Sequence, residues 1–168
     1  FYSQRRVGYR GRRFTIWKFR TMSTEPRPEP EGKSHGGPVG NSAKQLLARD
    51  RGSAELVTPI GRFLRRYRID ELPQFFNVLR GEMSWVGPRP EIVDLVELFR
   101  TKIRFYNYRH VVLPGITGWA QINQGHVSTQ AEAVEKLRYD FYYLKHFSPW
   151  LDFVILVRTI SVIFGGKG

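Results

Sequence analysis

IDELPQFFNVLRGEMSWVGPRPE, residues 69–91, is the stretch from which the rest of the chain is best read. It opens with adjacent carboxylates, Asp70 and Glu71, and closes with an arginine between two prolines, Pro88-Arg89-Pro90. Between them, Leu72, Phe75, Phe76 and Leu79 fall at the i, i+3, i+4, i+7 spacing of a buried helix face. Asp70 is expected as the N-cap, Pro73 falls in the first turn where a missing N–H costs little, and Gly81 is the C-terminal stop. A cap and a macrodipole partner would account for two acids at a helix start. Two neighbours argue for more. Arg62, Arg65, Arg66 and Arg68 precede Asp70, more cation than a cap requires. Arg89 is presented from a backbone stiffened on both sides. A carboxylate caged by rigid arginines suggests a phosphate site holding a nucleophile or a metal ligand.

Working outward, residues 58–68 read as a helix entered through Thr58 as N-cap and Pro59 at N1, with Ile60, Phe63, Leu64 and Tyr67 as its apolar stripe. On the other side, Pro90 is expected to start a helix whose core stripe is Ile92, Leu95, Val96 and Phe99. Residues 4–22 alternate like a hairpin turned at Gly8 and Gly11, with Lys18 and Arg20 on one strand face, where they could line a site together. Arg10, Arg12 and Arg13 near the turn read as a solvated basic face. Residues 23–54 are rich in Pro, Gly and Glu and read as a loop carrying an exposed His35, with a short helical piece at 44–49. Pro114-Gly115 and Gly118 mark a close-wrapped loop. Gln130–His146 reads as a helix with Val134, Leu137, Phe141 and Leu144 inward and Glu132 paired with Lys136 outside. Phe147–Phe164 is nearly all apolar: either a buried terminal helix or one lying in a membrane interface with Trp150 at headgroup depth.

Composition bounds the function. The chain has 168 residues, is 41% hydrophobic and reads as one domain with a real core. It contains no cysteine, which removes disulfide, zinc-thiolate and thiol chemistry. His110 and His126 lack metal-ligand spacing. The net charge of +12 points to polyanions: nucleic acid, an acidic membrane surface or phosphorylated substrates. No run of 18 apolar residues is present to span a bilayer. A start at Phe1 suggests a fragment of something longer. The expected fold is mixed α/β (α+β), a small N-terminal β-hairpin packed with several short amphipathic helices.

Four motifs in order, KFRTM at 18–22, DELPQ-FNVL-G-MS at 70–84, VGPRP at 86–90 and PGITGWAQ at 114–121, closely resemble the catalytic domain of bacterial sugar transferases. These are monotopic polyprenyl-phosphate phosphoglycosyl transferases that begin exopolysaccharide and O-antigen synthesis. The resemblance implies that Asp70 attacks the sugar-linked phosphate of a UDP-sugar, releasing UMP, and that polyprenol (undecaprenyl) phosphate then displaces Asp70. It implies Mg²⁺ held by Glu71 beside Asp70, and a diphosphate neutralised by Arg89 in its Pro88/Pro90 mount with Lys18 and Arg20. Arg68 and Gln121 complete the expected substrate-binding set. Arg68-Ile69 departs from the family pattern of a small polar residue followed by leucine. The resemblance also implies an upstream membrane-dipping helix and a seat on the cytoplasmic face of the bacterial inner membrane; a homodimer is the remaining assembly considered.

Physical chemistry supports the same reading. A carboxylate attacking an anionic phosphate needs metal and fixed cations against charge repulsion. A helix N-terminus is expected to keep Asp70 ionised. Three rivals are weaker. A nucleic-acid-binding module, suggested by charge and interleaved aromatics, does not account for two acids inside the most basic region. A two-carboxylate glycosidase needs acids on opposite faces of a sugar, not adjacent on one turn. A scaffold with a decayed site does not explain an intact Lys18, Asp70, Glu71 and Arg89.

Overall fold

Alternation in the first twenty residues produces an antiparallel hairpin, β1 (Tyr2–Val7) and β2 (Arg13–Lys18), with Tyr2 opposite Lys18 and Val7 opposite Arg13. The computed structural model describes residues 1–23, 43, 46–47, 56–124, 127 and 129–165. Most of the expected loop at 23–54, His35, His126 and most of the helical piece at 44–49 lie outside them. Leu46 and Leu47 are helical and buried in the core.

Helix α1 (Pro59–Arg66) starts as its sequence directs: Thr58 Oγ1 accepts the Gly61 amide at 2.9 Å and Pro59 sits at N1. A 3₁₀ turn, Ile69–Gln74, follows and runs into the short helix α2 (Phe75–Leu79). Gly81 ends that helix at φ +71°, with its amide on the Val78 carbonyl. Strand β3 (Ser84–Val86) pairs in parallel with β4 (Gly115–Thr117), Val86 opposite Thr117. Between them lie α3 (Val93–Lys102) and a 3₁₀ turn, Tyr106–His110. Helix α4 (Trp119–Asn123), α5 (Gln130–Lys145) and α6 (Pro149–Phe164) complete the chain. The architecture is mixed α/β, as expected from the sequence. Among the described residues no helix is long and apolar enough to cross a membrane.

The main core lies between α3, α5 and the hairpin: Val7, Ile92, Leu95, Val96, Phe99, Ile103, Ala133 and Leu137. Here the expected stripe of α3 is where it should be, although the helix begins at Val93, after an extended Ile92, and not at Pro90. A smaller cluster of Val86, Tyr143 and Ile155 is completed by Trp119, Ile122 and Leu151.

Of two other stripes, that of 72–79 is reversed and that of α1 is split, with Leu64 and Tyr67 half-buried. Leu72, Phe75, Phe76 and Leu79 are all exposed, up to 66% at Leu79, while Asp70, Glu71, Gln74 and Asn77 are buried. In α1, Ile60 and Phe63 are exposed and the buried residue is Gly61. A Cβ at Gly61 would collide with the Thr21 backbone, so the helix approaches the hairpin by its glycine and not by its apolar stripe. Terminal helix α6 follows the outward pattern: Ile155 is buried, but Trp150, Phe153, Val157, Ile160 and Phe164 are exposed.

Candidate active site

The carboxylate pair is positioned by a local failure to form an α-helix. Pro73 has no N–H for the Ile69 carbonyl, and the Asp70 carbonyl is taken by the Phe19 amide at 2.9 Å. The chain therefore tightens into a 3₁₀ turn whose N-cap is Arg68, in the left-handed region at φ +54°. Asp70 is the second residue of that turn and not its cap, a correction to the sequence expectation. Arg68, the departure noted in the motif, carries that turn-entry conformation at a cost of about 1–2 kcal/mol for a non-glycine residue. Below the turn, Asn77 fastens α2 to β2: its Nδ2 donates to the Thr15 carbonyl and to Glu82 Oε2, both at 2.7 Å. The polar face goes inward because its partners are there.

Glu71 sits at the centre of the cationic cage. Arg89 donates through Nη2 to Oε1 at 2.6 Å and through Nη1 to Oε2 at 3.5 Å. Lys18 Nζ donates to Oε1 at 3.1 Å and Arg68 Nη1 to Oε2 at 3.5 Å. Burial would raise the Glu71 pKa, but Arg89, Lys18 and Arg68 outweigh it and hold the carboxyl well below the usual range. Lys18 is pushed below its ordinary value chiefly by burial, despite Glu71.

Asp70 is different. Its side chain is buried and makes no hydrogen bond or ion pair among the described residues. Burial, then the Glu71 charge, raise its pKa; Lys18, Arg65 and Arg89 oppose them. The expected helix-end stabilisation of the ionised form is therefore reversed: burial and Glu71 outweigh the nearby cations and make the carboxylate more basic. Arg65 is a contributor that the sequence only hinted at among its run of arginines. Its Nε bonds Thr21 Oγ1 at 2.8 Å, which fixes the guanidinium beside the hairpin.

Of the expected substrate residues, the structure brings Lys18, Arg68 and Arg89 together on Glu71. Arg20 is not among them: it is exposed and its Nη2 donates to the Phe1 carbonyl at 3.5 Å. Gln121 Nε2, on α4, donates to the Ile116 carbonyl of the adjoining β4 at 3.0 Å. Pro88 and Pro90 serve as the mount of Arg89. That mount is packed against the 114–118 loop so closely that a Cβ at Gly87 or Gly115 would enter the facing backbone.

A second set of buried charges, unnoticed in the sequence, stands behind the mount. Arg109 contacts Glu91, Asp140 and Tyr106, and Lys136 Nζ also bonds Glu91. Lys136 therefore turns inward, contrary to the expected outward pairing with Glu132. Glu132 instead closes a capping box with Thr129. Lys136 and Arg109 overcome burial and draw the Glu91 pKa down to about 2. Nothing in local periodicity marks these residues, because their partners come from distant parts of the chain.

The fold and site define a mixed α/β domain with a free, basic carboxylate beside a cation-locked one, bordered by outward-facing apolar residues. Comparison with known proteins gives the class its name. A profile of the family described as bacterial sugar transferase matches residues 1–166. The chain is 43% identical over 165 residues to the UDP-N-acetylgalactosamine-undecaprenyl-phosphate N-acetylgalactosaminephosphotransferase of Aeromonas hydrophila, covering 98% of this chain and 35% of that protein. It is 40% identical over 168 residues to the UDP-glucose:undecaprenyl-phosphate glucose-1-phosphate transferase of Escherichia coli K12, covering 99% and 33%. It is 38% identical to the sugar transferase EpsL of Bacillus subtilis, covering 100% and 71%. The chain belongs to the bacterial sugar transferase family. It spans about a third of the length of the first two relatives.

Proposed function

We propose that the protein containing this chain transfers a sugar-1-phosphate from a UDP-sugar to undecaprenyl phosphate, with Asp70 as nucleophile. A carboxylate oxygen of Asp70 attacks the sugar-linked phosphorus. The bond from that phosphorus to the bridging oxygen breaks, UMP departs with the bridging oxygen, and a phosphosugar remains on Asp70. An oxygen of the lipid phosphate then attacks the same phosphorus and expels the carboxylate, giving the polyprenyl-diphosphosugar. The observation that carries this reading is the contrast between the two acids: Asp70 buried but unbonded among the described residues, Glu71 gripped by Arg89, Lys18 and Arg68. A nucleophile must be free to move onto phosphorus; a positioning acid must not move.

The cations around Glu71 suit the developing charge on the transferred phosphoryl group. The donor set also fits a hard cation. Mg²⁺ takes one or two carboxylates and fills its remaining positions with phosphate oxygens and water. Glu71, with Asp70 beside it, would hold it once substrate phosphate draws off some of the Arg89, Lys18 and Arg68 donors that occupy both Glu71 oxygens here. No cluster of three or more acidic or histidine ligands occurs among the described residues, so substrate oxygens are needed to complete such a site. When bound, the ion supplies neutralisation of phosphate charge.

The outward apolar residues of α1, α2 and α6 support a monotopic seat on the membrane that holds the lipid substrate, with the excess of basic residues favouring an anionic surface. By this reading the domain works on the cytoplasmic face of the bacterial inner membrane at the first membrane step of a surface-glycan assembly.

The test is UMP release from a panel of UDP-sugars by the full-length protein in detergent with Mg²⁺ and undecaprenyl phosphate. One sugar is expected to turn over, and Asp70→Asn to lower the rate about 1,000-fold or more, because an amide is no nucleophile. Turnover near the parent rate in that variant would remove Asp70 from the mechanism. Silence across the panel from folded protein would return the reading to a non-catalytic membrane or nucleic-acid binder.

A further inference from the structure

Pro88-Arg89-Pro90 contains two residues without an N–H, so the segment can be tied down mainly through its carbonyls. Each carbonyl has a donor. The Pro88 oxygen accepts from the Gly115 amide at 3.1 Å, the Arg89 oxygen from Arg109 Nη2 at 2.9 Å, and the Pro90 oxygen from Arg6 Nη1 at 3.2 Å. The next carbonyl, that of Glu91, accepts from the Val7 amide at 3.0 Å. Two of these donors are buried guanidiniums, Arg6 and Arg109, and Arg109 is the one that bonds Arg89 itself, the residue whose fork grips Glu71.

Arg109 reaches it from the 3₁₀ turn Tyr106–His110 with a side chain only 2% exposed. Its Nη2 also lies 2.9 Å from Asp140 Oδ2 on α5. Its Nη1 donates to the Tyr106 hydroxyl at 2.8 Å and approaches Glu91 Oε1 at 3.4 Å. Both terminal nitrogens of the planar fork are hydrogen-bonded, so turning the guanidinium would break these contacts, while its Nε has no hydrogen-bond partner among the described residues. For stability alone, such a buried ionic cluster is a poor investment, since well-packed apolar residues of similar volume often do as well or better. What the cluster provides is a fixed peptide plane at Arg89. We propose that Arg109 is a positioning residue for the transfer reaction: through its bond to the Arg89 carbonyl it sets the angle at which the Arg89 guanidinium meets Glu71 and the substrate diphosphate.

The inference rests on the reaction proposed above, and the experiment separates the two. In the full-length protein, Arg109→Lys keeps the charge but cannot hold the fork geometry. It is expected to lower kcat about 100-fold, the cost of a misplacement near 1 Å, with a much smaller change in KM. Because the effect passes through Arg89, Arg109→Lys is expected to cost almost nothing further in an Arg89→Lys background. Equal cost in both backgrounds, or an unchanged kcat in folded Arg109→Lys, would overturn the proposal. If Arg109→Lys does not fold, Asp140→Asn, which weakens one anchor of the fork, is expected to show the same dependence on Arg89. Cost independent of Arg89 would again overturn it. An NMR readout needs no turnover: the Arg89 Nε–H resonance is expected to shift and exchange faster in Arg109→Lys and to stay put in Arg13→Lys, a surface control. A parent enzyme silent with every sugar but showing this shift would sink the proposed reaction and leave the positioning contact intact; no shift sinks the contact.

Discussion

Helix α3 and the segment from Leu72 to Leu79 carry the same apolar repeat and point it in opposite directions. Leu95, Val96 and Phe99 are at most 2% exposed, whereas Leu72 and Phe76 are 63% and 58% exposed. Periodicity says that a helix has two faces; it does not say which face meets protein. The opposite face decides. That of α3 carries Asp94, Glu97 and Arg100, with Glu97 paired at the surface to Arg13. The other face of 70–79 carries Asp70, Glu71, Gln74 and Asn77, and Glu71 and Asn77 find half-buried partners on the hairpin. With the polar face committed inward, the apolar one is left to another solvent. Under the proposed function that solvent is lipid.

The contrast can be broken most severely at the core. Phe99→Ala is expected to cost about 3–5 kcal/mol, while Phe76→Ala is expected to stay within about 0.5 kcal/mol, both by chemical denaturation. Equal losses would mean that Phe76 packs against protein. A smaller but sharper effect concerns the outward stripe. Replacing Phe63, Leu72 and Phe76 together by Ser is expected to weaken sedimentation with anionic phospholipid vesicles at least about tenfold, since one such side chain buried is worth about 1.5–3 kcal/mol. Folding stability should hardly change. Unaltered partitioning would place the membrane seat elsewhere, with α6 as the next element to test.

The smallest expected effect lies in the pH dependence of the inward side. Burial, then Arg109 and Arg100, push His110 down to about 4. The unfolded chain therefore binds this proton first. The His110 contribution is fully present above the ordinary pKa of about 6.5 and is lost as pH falls from there through about 4. Glu91, drawn down to about 2, loses its contribution in a lower window, from about 4.5 to 2. His110→Gln should flatten the stability profile between about pH 6.5 and 4 and leave the lower limb in place. An unchanged upper limb would assign that slope to another group.

Much of the local chemistry is legible in the residues. Thr58-Pro59 starts α1 because a hydroxyl cap and a fixed φ need no distant partner. Gly81 stops α2 for an equally local reason, its positive φ. The motifs that carry the family resemblance also hold Asp70, Glu71, Lys18 and Arg89, the groups that the proposed phosphate transfer would use. Asp70 as a cap, Pro90 as a helix start and Lys136 as a surface charge misread the structure for one reason. Each depends on a partner remote in sequence: the Phe19 amide, Arg6 and Val7 of β1, and Glu91.

The sequence by itself, then, determined the mixed fold, the acids and cations of the site, and the family to which the chain belongs, since these follow from local propensity and from residue chemistry. Tertiary structure alone decided which face of 70–79 is buried, which acid is gripped and which is free, and how Arg109 holds Arg89 from behind. Those outcomes turn on hydrogen bonds spanning 18 to 62 residues, from Arg89–Glu71 to Asn77–Thr15, and no local pattern encodes a partner so far away.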